Sequence, residues 1–177
     1  MLRLTISIPF KYDKVHNGRL FYVLEGISFD YRSAYSHSFS DVGVLLFGNL
    51  EVRVSCGDGL AIGVEGRTNW MHWHRASIQP PLAPPITGSV CFCTEDVPPH
   101  GVAYEIWNEG ECYEAYDVST GWYLTTRSDK RATWHDAAQI EFVTGCRFLF
   151  SESEICGILL KPVNAHEIAG QLMQSGR

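Results

Sequence analysis

Two short motifs in this 177-residue chain are the residues best placed to do chemistry. In Trp70-Met-His-Trp-His74, an extended backbone would point His72 and His74 to the same side, where they could chelate one metal. A metal site needs a third and usually a fourth ligand. Cys91-Phe-Cys93 offers a same-face thiol pair that a sheet could bring alongside. Such a site would belong to a metal-dependent enzyme or a small-molecule binder on a β-barrel. Against it, the chain has no Cys-x-x-Cys, its spacings match no zinc-ribbon, finger or cupin pattern, and Arg75 rather than a carboxylate ligand follows the histidines. Alternating His and Trp also suit a strand with aromatics on one face and polar rings on the other. This plainer reading is the expectation, with no metal and no cofactor.

Nucleophilic catalysis finds its residue types in Cys56, Cys146, His100, His135 and Asp136, but no Gly-x-Ser-x-Gly elbow or cysteine-protease signature organises them. Gly57-Asp-Gly59 is not followed by a helical pattern, and no phosphate loop, His-Glu-x-x-His or calcium loop is present. Glu152 and Glu154 read as a solvated turn rather than an acid and a base. No catalytic residue is assigned, and the expectation is a protein that is not an enzyme.

The charge distribution is more informative. No Lys or Arg lies between Arg75 and Arg127, while the same interval holds Glu95, Asp96, Glu105, Glu109, Glu111, Glu114 and Asp117. The chain as a whole carries a net charge of -6, so the excess is local. Tyr104, Trp107, Tyr113, Tyr116, Trp122 and Tyr123 are interleaved with these acids. Clustered carboxylates with Tyr and Trp fit a surface that attracts a cationic partner and then supplies anchors. Glu105, Trp107, Glu109, Glu111, Tyr113, Glu114, Tyr116, Asp117 and Trp122 are the candidate partner-binding residues. Strand alternation places Glu105 and Trp107 on one side, opposite Tyr104 and Ile106. The alternative is that the acids serve solubility and the aromatics form core. Direct nucleic-acid binding is disfavoured, because phosphates require basic side chains.

These residues must be positioned by short strands. Leu2, Leu4, Ile6 and Ile8 alternate with polar residues up to Pro9, and similar runs recur at 20–24, 42–47, 50–54, 60–64, 90–93, 102–107, 112–118, 122–126, 140–143, 148–150 and 155–160. Turn signals such as Cys56-Gly-Asp-Gly59 and Ser119-Thr-Gly121 separate them. The predicted class is mostly β, an antiparallel sandwich or barrel-like arrangement with a short C-terminal helix. That helix is signalled by Asn164 as cap, Glu167 three residues later, and Ile168 and Leu172 on the face of Ala165 and Ala169. Residues 79–88 carry four prolines and read as a stiff crossover within a single domain, 1–177.

With 45% hydrophobic and 19% charged residues, the composition is that of a folded globular chain. No apolar run approaches the roughly 18 residues of a membrane span, and the N-terminus lacks a signal-peptide core, so a cytoplasmic protein with six reduced cysteines is expected. A small acidic β-rich chain without a catalytic motif, bearing an acid-and-aromatic patch, resembles in general character the bacterial immunity proteins that neutralise nuclease toxins, including those of contact-dependent growth inhibition systems. The resemblance implies an inhibitor that occludes the basic active site of its toxin, and it transfers no family residue. A homo-oligomer using the same aromatics as a subunit interface is a further reading.

Overall fold

The alternating runs become strands because period-two burial suits the pleat of a sheet covered on its inner face. The computed structural model describes residues 6–7, 17–33, 41–130, 134–152 and 154–174. In chain order the strands are β1 (Ile6–Ser7), β2 (Gly18–Val23), β3 (Ser28–Ser33), β4 (Val42–Phe47), β5 (Leu50–Ser55), β6 (Ala61–Arg67), β7 (His74–Arg75) and β8 (Ile86–Thr87). They continue as β9 (Cys91–Phe92), β10 (Ala103–Trp107), β11 (Cys112–Tyr116), β12 (Tyr123–Arg127), β13 (Ala138–Val143), β14 (Cys146–Ser151) and β15 (Glu154–Leu160), and α1 (Ala165–Gln174) follows. Of the N-terminal alternation only β1 is described, paired with β9; Leu2, Leu4 and Ile8 lie outside the described residues.

One sheet has the order β10-β4-β5-β6-β3-β2 and the other β7-β11-β12-β15-β14-β13-β8. Among the described residues they do not close into a barrel. The fold is mostly β with a short C-terminal helix, as expected, but the sheets are mixed rather than antiparallel. β10 runs parallel to β4, β7 to β11 and β8 to β13, each after a long crossover.

Tyr22, Phe29, Leu45, Phe47 and Val52 from the first sheet meet Tyr116, Tyr123, Phe148 and Ile158 from the second in one shared core. The seven-stranded sheet is covered on its outer face as well, where Trp122, Leu124, Leu149 and Leu159 pack with Ile78 and Trp134. This explains why β15 reads as an almost unbroken apolar run. The proline-rich segment is the strap that carries Ile78 across that outer face, and Gln139 Nε2 donates to Pro81 O at 3.1 Å to hold it. α1 buries Ile168 and Leu172, as their spacing predicts.

β3 has no counterpart in the predicted strands, because Ser-Phe-Asp-Tyr-Arg-Ser contains only two inward apolar residues, Phe29 and Tyr31. The expected parity of β10 fails at its end. The register shifts between Glu105 and Trp107, which turns Trp107 inward against Phe47 at 4.9 Å while Glu105 stays exposed. All six cysteines are free thiols. Among the described residues no helix is long and apolar enough to cross a membrane.

Candidate functional site

A cleft of roughly 400 Å³ opens at the end of the sandwich where the β2–β3 and β4–β5 turns and the last residue of β6 face β7 and β11. The first sheet contributes Ile27 and Asn49 from its turns and Arg67 from β6. Gly48 holds the β4–β5 turn with a φ of +63°, and a Cβ there would stand 2.7 Å from Cys112 Sγ, so only glycine permits this approach of the two sheets. Asn69 Oδ1 accepts from Met71 N at 3.0 Å and caps a 3-10 turn, Trp70–His72, that brings His72 to the rim. Asn108 caps a second 3-10 turn, Glu109–Glu111, in the same way, with Gly110 N donating to its Oδ1 at 2.9 Å.

Cys112, Glu114 and Tyr116 share the inner face of β11, and the ladder sets Thr125 opposite Glu114 and Tyr123 opposite Tyr116. Glu114 is therefore a carboxylate placed between two sheets, at the wall of the cleft. It accepts a long hydrogen bond, 3.4 Å, from Asn49 Nδ2. Burial pushes its pKa up; the Tyr123 hydroxyl and the Asn49 amide offset part of that, the Glu109 charge adds to it, and a charged His72 would lower it. The Cys112 thiol is pushed up to about 11 by burial and by the Glu114 charge, which keeps it protonated and a poor nucleophile at neutral pH.

Behind this wall lies a concentration of unsatisfied polarity. Among the described residues the buried side-chain atoms without a hydrogen-bond partner of normal geometry are Thr68 Oγ1, Trp73 Nε1, Tyr123 Oη and Thr125 Oγ1. Thr68 follows Arg67, Trp73 lies between the two rim histidines, and the other two flank Glu114 across the ladder. Tyr123 and Glu114 are close enough that the hydroxyl eases ionisation of the carboxyl while the carboxylate makes that of the phenol costlier, without a well-shaped bond between them. Each such orphan costs about 1–3 kcal/mol, and most folded proteins avoid them. A second anomaly lies at the mouth, where Ile27 is held at a φ of +48°, a left-handed conformation that a β-branched residue resists. Unsatisfied polar groups and backbone strain at one cleft are the usual marks of a binding site.

Several sequence expectations change here. His72 and His74 do not lie on one strand: His72 ends a 3-10 turn and His74 begins β7, with Trp73 buried between them against Tyr22, Phe29 and Tyr123. Both histidines line the cleft, but Cys91 and Cys93 belong to β9 and the segment after it and are not brought alongside. Among the described residues no three His, Cys, Asp or Glu side chains form a metal-holding group.

Of the acid-and-aromatic segment, Glu105, Glu109 and Glu111 are exposed, Tyr113 is half-buried and stacked on His74 at 4.8 Å, and Glu114 lines the cleft. Trp107, Tyr116 and Trp122 lie in the core. The Tyr116 hydroxyl donates to Ala165 O at 2.9 Å, and Trp122 is flanked by Arg147 and Lys161 at 4.6 and 5.2 Å from its ring. Asp117 is an internal organiser rather than a surface acid. Its carboxylate accepts from Ile78 N, Ser119 N, Ser119 Oγ and Thr120 N. Burial alone would raise its pKa, but these donors bring it down to about 2.

Asn49, Thr68, Thr125 and Ile27 were not singled out by sequence reasoning. The one available signal was the pair Thr125-Thr126, polar residues inside a strand that is otherwise buried. Compared with known proteins, the chain matches no family model, no curated protein and no solved structure.

Proposed function

We propose that this chain is a non-enzymatic binding protein that takes a basic protein partner against the acidic side of its cleft. In its most specific form it is an immunity protein that occludes the active site of a basic nuclease toxin. The observation that carries the reading is that Glu105, Glu109 and Glu111 are exposed and make no ion pair among the described residues, while Glu114 extends the same charge into the cleft. Unpaired carboxylates around a concave site speed the arrival of a cationic partner and select against anionic ones. Since Trp107, Tyr116 and Trp122 are buried, apolar contact in this reading falls to Met71 beside His72, to Ile27 at the mouth, and to Val102 beside β10. Glu105 on the edge strand β10 also guards that edge against strand pairing, which would account for it without any partner.

The test is capture by the tagged protein from lysate of its source, eluted over a salt gradient, followed by reconstitution with the purified partner. The expected result is a near-stoichiometric basic protein whose nuclease activity is blocked on binding and whose affinity falls when Glu105, Glu109, Glu111 and Glu114 are changed together to Ala. Undiminished binding by that variant would overturn the acidic-face reading. A second reading, a small-molecule site in the same cleft, is favoured by the half-buried carboxylate of Glu114 facing His72 and by the unsatisfied hydroxyls behind it.

A further inference from the structure

We propose that the cleft is a socket for a single guanidinium group, received by the carboxylate of Glu114 and closed over by that of Glu109. This deepens the basic-partner reading, since an arginine of such a partner is one source of the group and a free guanidino compound is the other.

The charge sign comes first. Glu109 and Glu114 both line the cleft and repel each other, and neither is paired with a Lys or Arg among the described residues. Arg67 is the cleft's own permanent cation, and it leaves the two carboxylates one positive charge short. A cation is therefore wanted between them, and an anion is not. Metal coordination is a poor alternative, because no three ligating side chains converge among the described residues.

Donor count and shape then favour guanidinium over ammonium. The wall offers three acceptor groups, two carboxylates and the Asn49 side-chain oxygen, and Glu114 is backed by the fully buried hydroxyls of Tyr123, Thr68 and Thr125, none of which has a hydrogen bond of normal geometry. An ammonium brings three donors on a compact head, whereas guanidinium brings five in a planar fork that meets a carboxylate with two parallel bonds. One rim is also planar, since His74 lies within 15° of parallel to Tyr113. A flat, weakly hydrated cation can lie along such a surface.

The test uses the full chain and three probes: N-acetyl-arginine amide, its neutral urea isostere N-acetyl-citrulline amide, and free L-arginine. Calorimetric titration at low salt is paired with backbone NMR. Saturable binding of the arginine amide is expected, with shifts at Asn49, His72 and Glu114 and at least tenfold weaker binding of the citrulline amide. Glu114→Gln should weaken the arginine amide at least tenfold, and Glu109→Gln, at an exposed position, several-fold. Equal binding of arginine and citrulline amides, no saturable binding of any arginine probe, or wild-type affinity in Glu114→Gln would each overturn the socket. If the capped amide binds as tightly as free arginine, the source is a protein side chain. If free arginine binds tenfold tighter, Arg67 is reading its carboxylate and the source is a small molecule. Failure of the socket leaves the acidic face standing if a basic partner still responds to Glu105→Ala and Glu111→Ala. Failure of the acidic face leaves the socket standing if the arginine amide still binds.

Discussion

Asn164 clasps the backbone of Tyr22 from 142 positions away, its Oδ1 accepting from Tyr22 N at 3.0 Å and its Nδ2 donating to Tyr22 O at 2.8 Å. The amide thereby does for β2, an edge strand, what a neighbouring strand would do, and Val163 N adds a bond to Leu20 O at 2.8 Å. Sequence reasoning gave Asn164 the role of helix cap, and its Nδ2 does reach Glu167 Oε2 at 2.9 Å. Its principal partner is nonetheless the sheet. Asn164→Ala should cost about 2 kcal/mol, since two backbone groups lose their partner at once. Urea unfolding would measure this, and a loss below about 0.5 kcal/mol would mean that the clasp is incidental.

Asp117 gives stability a defined pH dependence. Its folded pKa, about 2, lies below the ordinary value of 3.8, so the stability it contributes is present above 3.8 and is lost as pH falls toward 2. Asp117→Asn should flatten that acid limb. Asp117→Ala, which leaves the Ile78 amide and the 118–120 turn without their acceptor, should cost about 3 kcal/mol at neutral pH. Denaturant titrations of the three proteins between pH 5 and pH 2 would separate the terms. An unchanged acid limb in Asp117→Asn would show that another carboxylate dominates it.

The strands of this protein are legible wherever period-two burial repeats several times, as in β4 and β5, whose alternate residues are buried. The side on which an aromatic falls is less legible, because one bulge reverses it, as at Trp107, and a sheet covered on both faces leaves neither parity exposed, as at Trp122. The candidate cleft is legible in part: His72, His74, Glu109 and Glu114 stand out by residue type, but not their convergence on one site. Ile27 and Asn49 come from turns of the first sheet that only the two-sheet stacking brings to Glu114, and Thr125 is set behind that wall by the β11–β12 ladder. The misreading of Trp122 has its own test. Trp122→Ala should lower stability by about 3 kcal/mol through lost core packing, with partner affinity changing only as far as the fold is lost.

Glu114 should show the opposite pH behaviour to Asp117. Its folded pKa is raised, so its favourable contribution is complete at acidic pH and is lost as pH rises through the folded value. Glu109, His72, Cys112, Tyr22 and Tyr123 are titratable groups that interact with it, with the neutral Asn49 amide beside them. The glutamine variant, which carries no charge to desolvate, should therefore be more stable than the wild type at pH 8 and indistinguishable from it near pH 4. Glu114→Gln less stable than the wild type at pH 8 would mean that the carboxylate has a cationic partner already.

Ile27 separates a strained turn kept for binding from one that is merely tolerated. A left-handed conformation costs an L-residue about 1–2 kcal/mol, while Asn adopts it with little penalty. Ile27 is half-buried in the turn, so Ile27→Asn gives up little core contact and should raise stability by about 1 kcal/mol. If the isoleucine is there for the site, the same change should weaken binding at the cleft, because it removes an apolar side chain from the mouth. Thermal unfolding and titration with the arginine amide, run on one preparation, read the two effects together. A variant that gains stability and keeps full affinity would show that the strain has no part in recognition, whereas gained stability with lost affinity would show that this turn holds its shape for the ligand.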